Sequence, residues 1–248
     1  MTDWVKGVVA DITHWTENLF SLSIRADIAP FTAGQYTSLA LDVDGERVAQ
    51  PYSILSAPGT QPLEFFFYTQ LEGDLSRALS RSIAGDTIWV QQQPEGTLTL
   101  SGISTPGRNL CLMATGTGVA PFISMLQTGQ PWQQFERVAL VYAARIWDDF
   151  QYRELFADLQ TRYPQRFTLV PFISREQRAG TLHGHIPDKL RSGELERRLG
   201  YDLKAADSHV MLCGNPGMVK DAVAVLQDRG FRDNRPGYPG QLSYESYW

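Results

Sequence analysis

The chain has 248 residues, 43% of them apolar and 20% charged, enough for one large domain or two of medium size. A net charge of -5 excludes a generally basic surface of the kind that binds nucleic acid or anionic lipid, although 18 of the 22 basic residues are arginine, the side chain suited to bidentate phosphate contacts. Two cysteines, Cys111 and Cys213, sit in or at the end of apolar runs without metal-ligand spacing, the N-terminus carries no signal-like segment, and no apolar run could span a bilayer, so the expectation is a cytoplasmic protein with free thiols and no metal.

Residues 5–12, 19–26 and 36–43 show partial two-residue alternation and are expected as strands. The pair Asp44-Gly45 marks a hairpin turn into a strand at 47–55, with another at 63–68. Leu75, Leu79 and Ile83 have helical spacing, ended by Gly85-Asp86, and 87–91 returns to strand. Short strands with one helix predict a small antiparallel β-barrel over 1–101. The Gly, Ser, Thr and Pro residues of 101–108 read as a linker. Beyond it, strands at 110–114, 138–143, 167–173 and 210–213 alternate with helices at 120–127, 152–162, 187–192 and 216–230. That alternation predicts a doubly wound parallel sheet, an α/β domain over 102–248.

The chemistry concentrates where those strands end. The run Ala114-Thr115-Gly116-Thr117-Gly118-Val119-Ala120-Pro121 carries a buried strand into a turn with two glycines, with proline at the start of a helix. Glycine permits tight turning, proline fits a first helical turn, and the exposed N–H groups suit phosphate. The pattern departs from the dinucleotide fingerprint, because Pro121 stands where a third glycine or alanine belongs; a packed turn without ligand is the competing reading. Two further strands end in Arg145 and in Ser174-Arg175. Ligands of doubly wound sheets bind outside the carboxyl ends of the strands, and arginine there suits a 2′-phosphate, pointing to NADP(H) over NAD(H). Ordinary surface arginines are the alternative. Cys213-Gly214-Asn215-Pro216-Gly217-Met218 forms another turn at the same edge, with Cys213 either facing a ligand or packed as a small apolar group. Pro51-Tyr52-Ser53 lies in the barrel half, where a core tyrosine is the default, and the chain closes on Tyr244-Glu245-Ser246-Tyr247-Trp248, whose rings pack on protein or on a planar ligand.

Taken in order, Pro51-Tyr52-Ser53, Gly73-Asp74-Leu75-Ser76, the Gly116 to Pro121 loop, Ser174-Arg175, Cys213 to Met218 and Tyr247-Trp248 resemble the bacterial-type ferredoxin–NADP+ reductases over essentially the whole chain. The resemblance implies a barrel that binds FAD, an NADP(H) domain whose aromatic tail returns to the flavin, and electron transfer through FAD between NADP(H) and ferredoxin or flavodoxin. It places Tyr52 on the flavin ring and Ser53 near its N5, with Phe66, Phe67, Tyr68 and Thr69 lining the ring. Asp74, Leu75 and Ser76 would cradle the flavin pyrophosphate. Thr117 would stand where the two cofactors meet, with Thr115, Gly116 and Gly214 in the nucleotide loops. Arg145, Ser174 and Arg175 would hold the 2′-phosphoadenosine end. Tyr247 and Trp248 would cover the flavin ring and the FAD adenine. Glu245 matches a carboxylate linked to proton supply, so that Ser53, Cys213, Glu245 and Tyr247 form the expected catalytic set.

Two positions depart from the family pattern. Gln50 replaces an arginine that contacts the FAD pyrophosphate, a loss that Arg77 could offset, and His185 replaces a further 2′-phosphate arginine, for which Arg178 could substitute. The acidic electron carriers call for a basic docking face, with Arg25, Arg77, Arg81 and Arg153 as candidates, and the expected state is a monomer. A general flavin or oxygenase-component reductase, and a nucleotide-binding redox sensor without turnover, are the alternatives on the same fold.

Overall fold

The structure is a computed structural model and describes residues 3–43, 45–69, 74–103, 107–235 and 237–246. Asp44, Gly73, Tyr247 and Trp248 therefore lie outside the described residues, as does the side chain of Asp74. The chain divides into two compact units, one formed by 1–99 with 120–128, the other by 100–119 with 129–248.

In the first unit, six antiparallel strands, β1 (Trp4–His14), β2 (Leu19–Arg25), β3 (Tyr36–Val43), β4 (Glu46–Ser53), β5 (Leu63–Tyr68) and β6 (Thr87–Gln91), pair in the order β4-β3-β6-β1-β2-β5. The sheet curls until its two edges meet. Ile54, just past β4, bridges Phe65 of β5, and the Leu55 N–H donates to the Glu64 carbonyl at 2.8 Å. Closing the sheet removes edge groups that would otherwise be left to solvent. Leu22, Ile24, Leu39, Ile54, Phe65 and Val90 fill the interior. Gly7 on β1 faces the same interior. A Cβ there would lie 2.5 Å from Ile24 Cγ2 and 3.0 Å from Val90 Cγ2, so the close-packed core leaves no room for one.

The short helix α1 (Asp74–Leu79) sends Leu75 and Leu79, one helical turn apart, into this core. The expected continuation to Ile83 fails. Ile83 is 67% exposed, and its N–H donates to Asp86 Oδ2 at 2.8 Å in a turn closed by Gly85 at φ +96. Helical spacing placed Ile83 on the core stripe, but the turn ended the helix before its side chain came round. A second helix, α2 (Ala120–Leu126), is buried along its whole length and clusters with this unit. Its buried Ser124 hydroxyl donates to the Ser56 carbonyl at 2.8 Å, and Gln127 Nε2 donates to the Leu55 carbonyl at 3.0 Å.

The second unit carries β7 (Asn109–Thr115), α3 (Gln130–Gln134), β8 (Arg137–Ala144), α4 (Arg153–Arg162), β9 (Phe167–Ile173), β10 (Leu182–His183), α5 (Ile186–Arg191), α6 (Glu194–Leu199), β11 (Ser208–Gly214), α7 (Pro216–Asp228) and β12 (Leu242–Ser246). All its strand pairs are parallel, in the order β10-β9-β8-β7-β11-β12. Strand order runs outward from β7 to β10 and then restarts at β11 on the other side, so the topological switch falls between β7 and β11. The central strands are buried on both faces, which is why they read as unbroken apolar runs. The sequence did not reveal α3, α6, β10 or β12. Among the described residues, no helix is long and apolar enough to cross a membrane.

Candidate active site

The switch point gathers the predicted loop residues of the second unit. Ala114, Cys213 and Glu245 lie in one row across β7, β11 and β12, because Ala114 pairs with Cys213 and Cys213 with Glu245. Cys213 is fully buried and Glu245 half-buried. The two turns that leave β7 and β11 interlock. Thr115 Oγ1 accepts the Asn215 N–H at 2.8 Å. A Cβ on Gly214, whose φ is +130, would stand 2.3 Å from that hydroxyl, and one on Gly118 would stand 2.6 Å from the Cys213 carbonyl oxygen. Contact between the turns thus calls for glycine at both positions, in addition to the close ligand approach that the sequence pattern suggests. The glycine turn itself is a 3-10 turn, Gly116–Val119, in which Thr117 is buried, and α2 begins at Ala120 as expected. At the neighbouring turn Asn215 caps α7, its Oδ1 accepting the Met218 N–H at 3.1 Å, with Pro216 in the first turn.

The ends of β8 and β9 bring the predicted anion ligands side by side. Past the strands, the Ser174 N–H donates to the Ala144 carbonyl at 3.1 Å and the Arg175 N–H to the Arg145 carbonyl at 2.8 Å. Both arginines are exposed, and among the described residues neither belongs to a salt bridge. His185 stands at the start of α5 in extended backbone, without a side-chain capping bond, and is exposed. Arg178 lies with its guanidinium carbon 4.0 Å from the ring centroid of Trp147, a residue the sequence reading passed over. Its position two residues after Arg145, at a strand's carboxyl end, was the available signal.

In the first unit, Gln50, Pro51, Tyr52 and Ser53 end β4. The Tyr52 hydroxyl donates to Gln50 Oε1 at 3.2 Å. The Tyr52 ring meets Phe67 edge-on, with centroids 5.5 Å apart, and Phe67 stacks on Phe20 at 6.0 Å. Burial pushes the Tyr52 phenol well above its ordinary value, which keeps it a protonated donor at neutral pH. Phe65 and Phe67 alternate inward and belong to the barrel core, so Phe67 buttresses Tyr52 from inside. Phe66 is buried on the opposite face of β5, Tyr68 is half-buried there, and Thr69 donates from its hydroxyl to Asn18 Oδ1 at 3.1 Å. Ser53 and Ser76 are buried, and Leu75 is a core side chain.

Arg77, Arg81, Ser80, Thr69 and Asn18 line a pocket of about 250 Å³. Arg25, another expected docking residue, sits at the far end of β2 from that pocket, since Leu19 pairs with Tyr68 and Arg25 with Val8. A pocket of the second unit, about 830 Å³, is lined by Glu196, Tyr201, Lys204 and Arg229 on the edge where β11 begins, and contains none of the predicted residues.

Residues 112–224 match the family described as Oxidoreductase NAD-binding domain. The chain is 40% identical over 249 aligned residues to the flavodoxin/ferredoxin–NADP reductases of Shigella flexneri and Escherichia coli K12, with all of each chain covered. Its fold superposes with a TM-score of 0.93 on a ferredoxin NADP+ reductase from Neisseria gonorrhoeae, solved with bound FAD and NADP, at 28% identity and with 99% of both chains covered. The chain belongs to the flavodoxin/ferredoxin–NADP reductase family.

Proposed function

We propose that this chain is an FAD-dependent reductase that moves electrons between NADP(H) and a one-electron carrier, ferredoxin or flavodoxin. The observation that carries the reading is the pair Arg145–Arg175, joined by a backbone hydrogen bond at the carboxyl edge of the sheet and left without carboxylate partners among the described residues. Together with the Ser174 hydroxyl, it is a donor set for a phosphate monoester, the group that distinguishes NADP(H) from NAD(H). The end-to-end likeness to reductases named for flavodoxin, ferredoxin and NADP supports the same assignment.

The first unit fits a flavin nucleotide by its chemistry. Tyr52 offers a ring braced by Phe67 and a hydroxyl fixed by Gln50. Ser53 and Ser76 add buried hydroxyls, and Arg77 and Arg81 offer guanidinium groups in a pocket that Glu17 also lines. On this reading Tyr52 and Ser53 orient the ring system, Phe66, Tyr68 and Thr69 flank it, and Ser76 with the backbone of Asp74 and Leu75 holds the pyrophosphate. FAD, when bound, supplies the exchange between a two-electron hydride donor and single-electron carriers.

In the second unit, Thr115, Gly116, Thr117 and Gly214 shape the nucleotide crevice, and Arg145, Ser174, Arg175 and Arg178 hold its phosphorylated end, with His185 alongside. Cys213 presents a compact apolar thiol at the switch point. Glu245, in the same row, holds a proton at its carboxylate and fixes the approach of the nicotinamide. Tyr247 and Trp248 are proposed as ring-covering residues on the family pattern alone. The reading further makes the protein a cytoplasmic monomer, to which the two buried free thiols lend support on the cytoplasmic side. The decisive experiment is anaerobic addition of NADPH to the purified protein. A flavin spectrum that bleaches, followed by reduction of added ferredoxin or flavodoxin, is expected, and a protein that takes up no flavin would end the proposal. Bleaching without onward reduction of either carrier would favour the oxygenase-component alternative.

A further inference from the structure

We infer that Trp147 is a positioning residue for NADP(H) specificity: its indole holds Arg178 over the carboxyl edge of the sheet, as a third arginine beside the pair Arg145 and Arg175. The inference rests on the NADP(H) reading above. Trp147 follows β8 by three residues and opens a 3-10 turn, Trp147–Asp149. Its backbone N–H donates to Glu176 Oε1 at 2.8 Å, tying it to the loop that carries Ser174, Arg175 and Arg178. One face of the indole stacks on Phe150, with centroids 5.2 Å apart and planes 3° from parallel. Phe150 is buried and packs on the buried Tyr142 at 4.5 Å. The ring is therefore braced from the core outward.

Arg178 lies 4.0 Å from the ring centroid, and Arg153, at the start of α4, lies 5.1 Å from it. An exposed arginine on a turn would otherwise lose much rotamer freedom on engaging a ligand. Stacking restricts that freedom beforehand while leaving the planar guanidinium edge and its charge available, which pairing to a carboxylate would not do. Glu176, the nearest carboxylate in the loop sequence, is engaged by the Trp147 N–H. Arg178 is exposed, as Arg145 and Arg175 are, and adds a third permanent cation to the set they begin.

The test is calorimetric titration of the FAD-loaded protein with 2′,5′-ADP and, separately, with 5′-AMP. Trp147→Leu is expected to weaken 2′,5′-ADP about two- to fivefold, the range of a cation–π contact, and Arg178→Ala about tenfold, with 5′-AMP unchanged in both. Trp147→Phe should keep most of the affinity. Adding Trp147→Leu to Arg178→Ala should cost nothing further, because the ring acts through the guanidinium. Equal weakening of both ligands by Trp147→Leu would make the indole an adenine contact and overturn the inference. If Arg175→Ala weakens 2′,5′-ADP while Arg178→Ala does not, the inference fails and the nucleotide reading stands. If neither arginine matters, both fail.

Discussion

His209 on β11 gives the structure a specific acid sensitivity. Its side chain is 1% exposed, Nε2 contacts Ser243 Oγ at 3.0 Å, and Nδ1 has no protein partner. Burial penalises the charged imidazolium and lowers the group from 6.5 to about 4. Between those values the unfolded chain binds a proton that the folded one refuses, so stability rises with pH across the window. The contribution is unaffected above pH 6.5, is lost progressively below it, and levels off under pH 4. At about 1.4 kcal/mol per pH unit the loss approaches 3 kcal/mol, a large part of the stability of an ordinary domain. His209→Gln keeps hydrogen-bonding capacity toward Ser243 and removes the titration. Urea unfolding at closely spaced pH values from 7.5 to 4 should therefore show the native protein losing about 3 kcal/mol more than the variant. Parallel pH profiles would refute the reasoning. Should the variant fold poorly, the imidazole resonances of the native protein serve instead: His209 must stay neutral at pH 5.

Three further outcomes follow from the site. Arg175→Ala should raise the Michaelis constant for NADPH at least about tenfold, consistent with loss of a charge-assisted contact, and leave that for NADH nearly unchanged; equal changes would remove Arg175 from the 2′-phosphate site. Gly118→Ala places a methyl 2.6 Å from the Cys213 carbonyl oxygen, and separating those two backbones should cost about 1–3 kcal/mol in urea unfolding and weaken NADPH and NADH alike. Gln50→Arg should slow release of FAD and tighten it about tenfold or more in equilibrium dialysis; an unchanged dissociation constant would mean that the hydrogen bond from Tyr52 to Gln50, which the substitution sacrifices, matters as much as the added charge.

The sequence made some elements legible to the residue. Tyr36–Val43, Leu63–Tyr68, Thr87–Gln91 and Phe167–Ile173 form strands with the bounds their patterning predicts. The elements it hid are those whose cause is not local. Helix α3 reads Gln-Pro-Trp-Gln-Gln, too short for periodicity, and its Trp132 is fixed by stacking on Tyr163 at 3.7 Å, a partner far along the chain. Strand β12 is polar along much of its length and exists because β11 offers it a free edge. In the site, residues at strand ends could be read because a parallel sheet collects those ends on one edge. The hydrogen bond from Tyr52 to Gln50, the interlocked glycines and the stack of Arg178 on Trp147 depend on side-chain or backbone approach in three dimensions, which residue spacing does not encode.

In the second unit, cations stand at both edges of the sheet. Where strands begin, Arg108, before β7, pairs with Glu136 at 2.7 Å, and Lys204, before β11, pairs with Asp202 at 3.2 Å, while Arg166, before β9, donates to the backbone carbonyls of Trp132 and Phe135 and Arg137, at the start of β8, lies over the Tyr201 ring. These bridges are well exposed and so contribute little to stability; their effect is to cancel field at that edge. Where β8 and β9 end, Arg145 and Arg175 have no such partner among the described residues, and Glu176, next to Arg175 in the chain, is turned onto the Trp147 N–H. Arg178 is steadied by an aromatic ring, which restrains a cation without neutralising it. On the proposed reading, the arginines at this carboxyl edge, more than the glycine loop, are what would select a ligand with an additional phosphate.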